Sequence, residues 1–134
     1  MELKIVPKDE VYARIEKFQK KLAQNGLDGT AILLNSDMFY FSGTVQNGLL
    51  YLPVEGEPVL MVRRSLQRAN EESPLKNIVG IKSNREIPGI LESFGYKNIK
   101  KMGTELDVLP YNSFIRYQKL FPETVFGDIS PLVK

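Results

Sequence analysis

Short apolar runs alternate with segments of helical period along the whole chain, and this alternation limits the fold more than any other feature. Val11, Ile15, Phe18 and Leu22 recur at i, i+4, i+7 and i+11, one face of a helix. Residues 30–34 are apolar without polar alternation, the pattern of a strand covered on both faces. Residues 49–53 and 59–63 read as two more strands, and the link Glu55-Gly56-Glu57-Pro58 is short enough to demand an antiparallel hairpin. Further on, a helix from Leu66, a strand over 77–81, a helix carrying Ile87, Ile90, Leu91 and Phe94, and a strand over 99–103 follow in turn. Pro110 opens a last helix with Tyr111, Phe114, Ile115 and Leu120 turned inward, and a strand over 124–128 closes the series. Asp9 and Ser65 are the expected caps of the first and second full helices, and Asn35-Ser36-Asp37 caps a helical turn through Ser42. Residues 129–134 are expected to complete no element, a reading that favours truncation after Lys134.

Strands separated by helices of about ten residues pair in parallel through right-handed crossovers. The expected fold is therefore α/β, a three-layer α/β/α sandwich. Its sheet is mixed and mostly parallel, with five to six strands and one antiparallel hairpin strand, in the manner of the ribonuclease H-like motif. Residues 1–134 form one domain, a size at which a hydrophobic core needs no disulfide or metal to support it.

Chemistry is restricted by what is missing. The chain has no histidine and no cysteine, so a Ser-His-Asp triad, a Cys-His pair and a zinc site of the usual nitrogen and sulfur kind are excluded. Carboxylates remain. Glu105 and Asp107 follow the fifth strand and Asp128 ends the sixth, at the strand ends where α/β sites form. A two-metal nuclease of ribonuclease H type would also place carboxylates on its central strands, and residues 30–34 contain none. Glu105 and Asp107 thus read better as a loop and helix-start pair.

The phosphate-binding glycine patterns are absent, and Gly43 and Gly48 read as backbone requirements. Arg63, Arg64 and Arg68 make a basic patch without aromatic platforms beside it, the pattern of a solvated helix start rather than a nucleic-acid surface. A net charge of +2 argues equally little for nucleic acid or an anionic membrane. No secretory pattern and no membrane-length apolar run occur, so a cytoplasmic location is expected. Phe39-Tyr40-Phe41 cannot all face one core, so at least one ring is expected at the surface.

This last stretch carries a resemblance. Ser36-Asp37-Met38-Phe39-Tyr40-Phe41-Ser42-Gly43, after an apolar strand, resembles the Asn-x-x-Tyr-Leu-Ser/Thr-Gly segment of the creatinase/prolidase N-terminal domain. Gly56-Glu57-Pro58 with the strand after it, Arg68-Ala69-x-Glu71, Gly103-Thr104-Glu105 and Asp128-Ile129-Ser130-Pro131-Leu132-Val133 resemble later segments of that domain in the same order. Asp37 stands where the family commonly has Asn. The resemblance spans residues 10–134.

It implies a noncatalytic domain that precedes the metallopeptidase half of an Xaa-Pro aminopeptidase, an Xaa-Pro dipeptidase (prolidase) or a creatinase. It implies no cofactor and no catalytic or metal-binding residue in this chain. Two divalent ions, manganese or cobalt, are expected in the catalytic half. Its implied partners are that half, a second subunit in a homodimer and a proline-containing peptide, with no nucleic acid or membrane. The implied roles are assembly and walling of the active site, for which Phe39, Tyr40, Gly43, Thr44, Gln46 and Asn47 are the candidates. The alternative is a free-standing binding or scaffolding module with the same fold.

Overall fold

The structure, a computed structural model, describes residues 6–106 and 109–133. Helix α1 (Lys8–Gln24) leads into β1 (Gly29–Ile32), α2 (Asn35–Ser42), β2 (Gly48–Pro53) and β3 (Val59–Val62). Then come α3 (Leu66–Glu72), β4 (Asn77–Gly80), a 3-10 turn (Asn84–Glu86) and α4 (Ile87–Ser93). The chain finishes with β5 (Lys101–Thr104), α5 (Tyr111–Leu120), β6 (Val125–Asp128) and α6 (Ser130–Val133). The strands form one six-stranded sheet in the order β4-β3-β2-β1-β5-β6. β2 is antiparallel to β1 and β3, while β3–β4, β1–β5 and β5–β6 are parallel pairs. The α/β architecture expected from the sequence is therefore the observed one, and five strands end on the same edge of the sheet.

Two-residue periodicity divides the central strands between two cores. Leu50 and Leu52 of β2 and Leu60 and Val62 of β3 face one side, where they meet Val11, Ile15, Phe18 and Leu22 of α1 and Met38 and Phe41 of α2. Leu49, Tyr51, Val59 and Met61 face the other, against Ile87 and Leu91 of α4, with Tyr117 and Leu120 of α5 at its margin. Each fully buried aliphatic side chain contributes roughly 1.5–3 kcal/mol. α1 is also tied to the β2–β3 turn, where Tyr12 donates to Glu57 at 2.8 Å and Gln19 Nε2 donates to the carbonyls of Pro53 and Gly56 at 3.0 Å.

Several local expectations are corrected. Pro7, extended at ψ 142°, occupies the N-cap of α1 without a side-chain bond. Asp9 instead lies in the first turn with Glu10, where negative charge suits the helix dipole. No side-chain cap starts α2, whose N-cap is Leu34. Ser65 stands at the N-cap of α3 but has a left-handed backbone, φ 56°, and makes no capping bond. The reciprocal cap occurs at Ser83, whose hydroxyl accepts from the Arg85 N–H while Glu86 accepts from the Ser83 N–H. Tyr111 is 73% exposed rather than inward, because α5 covers the edge strand β6, where Phe114 meets Phe126 edge-on at 5.6 Å. The chain end is not bare either, since α6 closes it and Leu132 packs against the α1 core.

Gly48 is fixed by contact with the neighbouring strand. A Cβ there would lie 1.9 Å from the Met61 carbonyl oxygen, which only a displacement of β2 from β3 could relieve. Gly89, inside α4, faces open space. Gly48→Ala should therefore lower unfolding free energy by about 2 kcal/mol or more. Gly89→Ala should leave it unchanged or raise it by about 0.5–1 kcal/mol. Urea denaturation of the two variants checks both signs.

Candidate functional site

At the carboxyl edge of the sheet, β1 ends at Ile32 and the chain turns into α2. The N–H groups of Leu33 and Leu34 leave the ladder at this turn. Glu105, just past β5, accepts both: Leu33 N–H to Oε1 at 2.8 Å and Leu34 N–H to Oε2 at 3.0 Å. Thr104 adds a bond from its hydroxyl to the Ala31 carbonyl at 3.0 Å. Glu105 is 1% exposed. Burial pushes its carboxyl up to about 7 and the neighbouring Asp37 adds to the rise, while the two backbone donors pull the other way.

Nearby, Leu106 N–H donates to Asp128 Oδ1 at 3.1 Å. Glu105 and Asp128 thus both receive backbone donors, and Asp107 lies outside the described residues. Among the described residues, no group of three His, Cys, Asp or Glu side chains is placed to hold a metal ion.

The loop 43–47 occupies the same edge and is tightly held. Gly43, left-handed at φ 79°, ends α2. Thr44 donates from Oγ1 to Glu72 at 2.6 Å, and Gln46 Nε2 donates to that Thr44 oxygen at 2.8 Å. Arg68, paired with Glu72 at 3.3 Å, donates to the Val45 carbonyl at 2.6 Å. Arg63 donates from Nη2 to Asn47 Oδ1 at 2.5 Å, and its backbone N–H donates to the Asn47 carbonyl at 2.8 Å. Helix α3 and the end of β3 therefore fix the loop from outside it.

Between this loop, the start of α2 and the start of α5 lies a cavity of about 510 Å³. Asn35, Gln46, Asn47, Arg63, Ser113 and Tyr117 are its polar lining residues, with Leu33, Val45 and Pro110 among its apolar walls.

The sequence candidates divide here. Gln46 and Asn47 reach the cavity. Gly43 and Thr44 are buried and support the loop. Phe39 and Tyr40 stand elsewhere, each 44% exposed on the outer side of α2 while Phe41 fills the core. Arg14 lies over the Tyr40 ring at 4.5 Å and donates to its carbonyl at 2.9 Å. Arg63 and Arg68, read from sequence as a solvated patch, are indeed exposed but also hold the loop, and Ser113 and Tyr117 join the cavity from a distant part of the chain. A separation of 16 residues between Asn47 and Arg63 leaves no periodic signal by which sequence reasoning could pair them.

Comparison with known proteins places this arrangement. The family model of the creatinase/prolidase N-terminal domain matches residues 14–134. The chain belongs to that family. Among solved structures, the fold is similar to prolidase from Pyrococcus furiosus, with 27% identity and a TM-score of 0.75 over 90% of this chain and 36% of that one. It is similar also to an Xaa-Pro dipeptidase from Bacillus anthracis, with 20% identity and a TM-score of 0.75 over 92% of this chain and 34% of that one. The N-terminal domain of cytoplasmic peptidase PepQ from Mycobacterium tuberculosis matches with 23% identity and a TM-score of 0.75, over 90% of this chain and 95% of that one. This creatinase/prolidase N-terminal domain therefore spans about a third of the two longer proteins and nearly all of the domain structure. No curated protein matches the chain.

The buried Glu105 gives the domain a pH dependence. Its folded value lies above the ordinary 4.5, so folding favours the protonated form. That contribution is complete below about pH 4.5 and is lost as pH rises towards about 7. Glu105→Gln keeps a neutral side chain at all pH values. Between pH 5 and 8 the parent chain should lose on the order of 2 kcal/mol relative to this variant, measured by denaturant titration at each pH. Parallel profiles for the two proteins would contradict the assigned protonation.

Proposed function

We propose that this domain is the noncatalytic N-terminal part of a cytoplasmic Xaa-Pro peptidase of aminopeptidase or dipeptidase type. The observation that carries the reading is the pattern of coverage. Nine-tenths of the chain matches only about a third of whole prolidase and dipeptidase chains, yet the same length matches an N-terminal domain almost end to end. The remaining two-thirds of such an enzyme would hold the chemistry. Two divalent ions there would activate a water for attack on the bond preceding proline. The residues of this chain do not fit such a pair, since histidine is absent and the described carboxylates form no three-ligand group. No catalytic step is assigned to them.

The domain's own contribution is positional. The loop 43–47, braced by Arg68 and Glu72, is a fixed edge suited to limiting which peptides reach a neighbouring active site. Phe39 and Tyr40, exposed on a different surface, are suited to contact with the catalytic half or a second subunit in a homodimer. A mobile loop would cost conformational entropy at each encounter, whereas a braced one meets its partner already shaped.

Two results test the reading. The 134-residue chain with manganese and an Xaa-Pro dipeptide should release no amino acid above buffer, and metal-dependent hydrolysis would overturn the noncatalytic assignment. The DNA beyond codon 134 should continue in frame through Asp, Asp, His, Glu and Glu ligand codons. A stop codon directly after Lys134 would instead support the free-standing binding or scaffolding module.

A further inference from the structure

The tetrapeptide Gln-Asn-Gly-Leu occurs twice, at residues 24–27 and 46–49. Asparagine is a labile residue, and a glycine after it puts no Cβ in the way of its own backbone nitrogen. The repeated tetrapeptide gives both asparagines the same local chemistry, so a difference between them comes from the fold. Asn47 is tied twice to the neighbouring strand. Its carboxamide oxygen accepts from Arg63 Nη2, and its carbonyl accepts the Arg63 N–H at 2.8 Å. Gly48 is buried in β2, an interior strand, with the backbone of Met61 in β3 against it. To bring the Gly48 nitrogen onto the Asn47 carboxamide carbon, β2 must leave β3.

Asn25 and Gly26 are both exposed, at the end of α1. The bonds that restrain them are local. Asn25 Nδ2 donates to the Lys21 carbonyl at 2.7 Å, Gly26 N–H to that of Ala23 at 3.2 Å, and Leu27 N–H to that of Leu22 at 3.0 Å. Gly26 is left-handed at φ 68° and has open space around it. Leu22, in the core, anchors one end of this turn, and Asp28, which accepts the N–H groups of Lys100 and Lys101 at 2.9 Å, anchors the other. The turn between them can open while the rest of the domain stays folded.

We infer that Asn25 is a site of spontaneous modification, deamidating through Gly26 in the folded chain, while Asn47 in the same tetrapeptide is protected. The Gly26 nitrogen attacks the Asn25 Cγ and gives up its proton. The Cγ–Nδ2 bond breaks, and the nitrogen leaves with that proton as ammonia. The cyclic imide then takes up one water. Opening at Cγ gives aspartate, and opening at the backbone carbonyl gives isoaspartate. Either product replaces the amide that donates to the Lys21 carbonyl by a carboxylate at the negative end of the α1 dipole. Isoaspartate also adds a carbon to the backbone of the turn into β1, which pulls Asp28 off its bonds with Lys100 and Lys101.

Incubation of the 134-residue chain at mildly alkaline pH, with mass-spectrometric fragmentation that reads residues 25 and 47 separately, is the test. In the folded chain Asn25 should convert about tenfold faster than Asn47 or more, as a local opening against a sheet opening implies. In concentrated urea the two should convert at similar rates. Asn25→Gln, whose longer side chain disfavours the ring, should remove the early product and leave conversion of Asn47 unchanged. Asn25→Asp, which is one of the two products, should unfold at a lower urea concentration than the parent chain. The inference is overturned by equal conversion of the two asparagines in the folded chain, or by faster conversion of Asn47. A preference for Asn25 that persists undiminished in urea would also overturn it, by tracing the difference to sequence rather than fold. An Asn25→Asp chain with an unchanged urea midpoint would overturn the assigned consequence.

Discussion

The carboxylate of Glu105 closes the joint on which the working edge depends. The sheet has two parts in sequence: the first four strands with their hairpin, and β5 with β6. β1 and β5 join these parts through a short register, Gly29 opposite Met102 and Thr30 opposite Gly103. Beyond it the strand pairing stops, and two N–H groups at the start of α2 need acceptors. Glu105 supplies both from the end of β5. An unpaired buried N–H costs about 1–3 kcal/mol, so the placement of α2 follows that of Glu105. The loop 43–47 begins where α2 ends.

From this joint the bracing runs outward in order. α2 delivers Gly43 in the left-handed conformation that turns the chain back towards β2. α3 then clamps Thr44 and Val45 through Glu72 and Arg68, and β3 holds Asn47 through Arg63. Each of these ties links segments far apart in sequence. Together they convert a five-residue connection into a shaped surface beside a cavity, and the same ties orient the arginine that gives the cavity its charge.

Much of this architecture is legible in the sequence. The i, i+4, i+7, i+11 spacing of Val11, Ile15, Phe18 and Leu22 marks a buried face, and all four are core residues. The apolar runs mark the strands because a strand covered on both sides must be apolar throughout, as Gly48–Pro53 is. Caps are less legible. Ser65 has the right residue type at the right place, yet its backbone is left-handed; Ser83 makes the bond, because a cap depends on geometry as well as chemistry. α5 is misread at Tyr111 since periodicity reports an apolar face but not how much sheet lies beneath it. The site is legible only in part. Glu105 is conspicuous within Gly103-Thr104-Glu105, but its partners on Leu33 and Leu34 are backbone groups, which sequence does not distinguish. Arg63 and Asn47 meet only because β2 and β3 pair in one register, with Gly48 opposite Val62.

Hydrogen exchange on the Glu105→Ala variant, read amide by amide, tests most directly whether one buried carboxylate sets this edge. The account requires protection to fall at Leu33 and Leu34, and with them through α2 and the loop 43–47, while α4 on the opposite face retains its protection. Unchanged exchange at Leu33, Leu34 and the loop, in a variant that still folds, would contradict it.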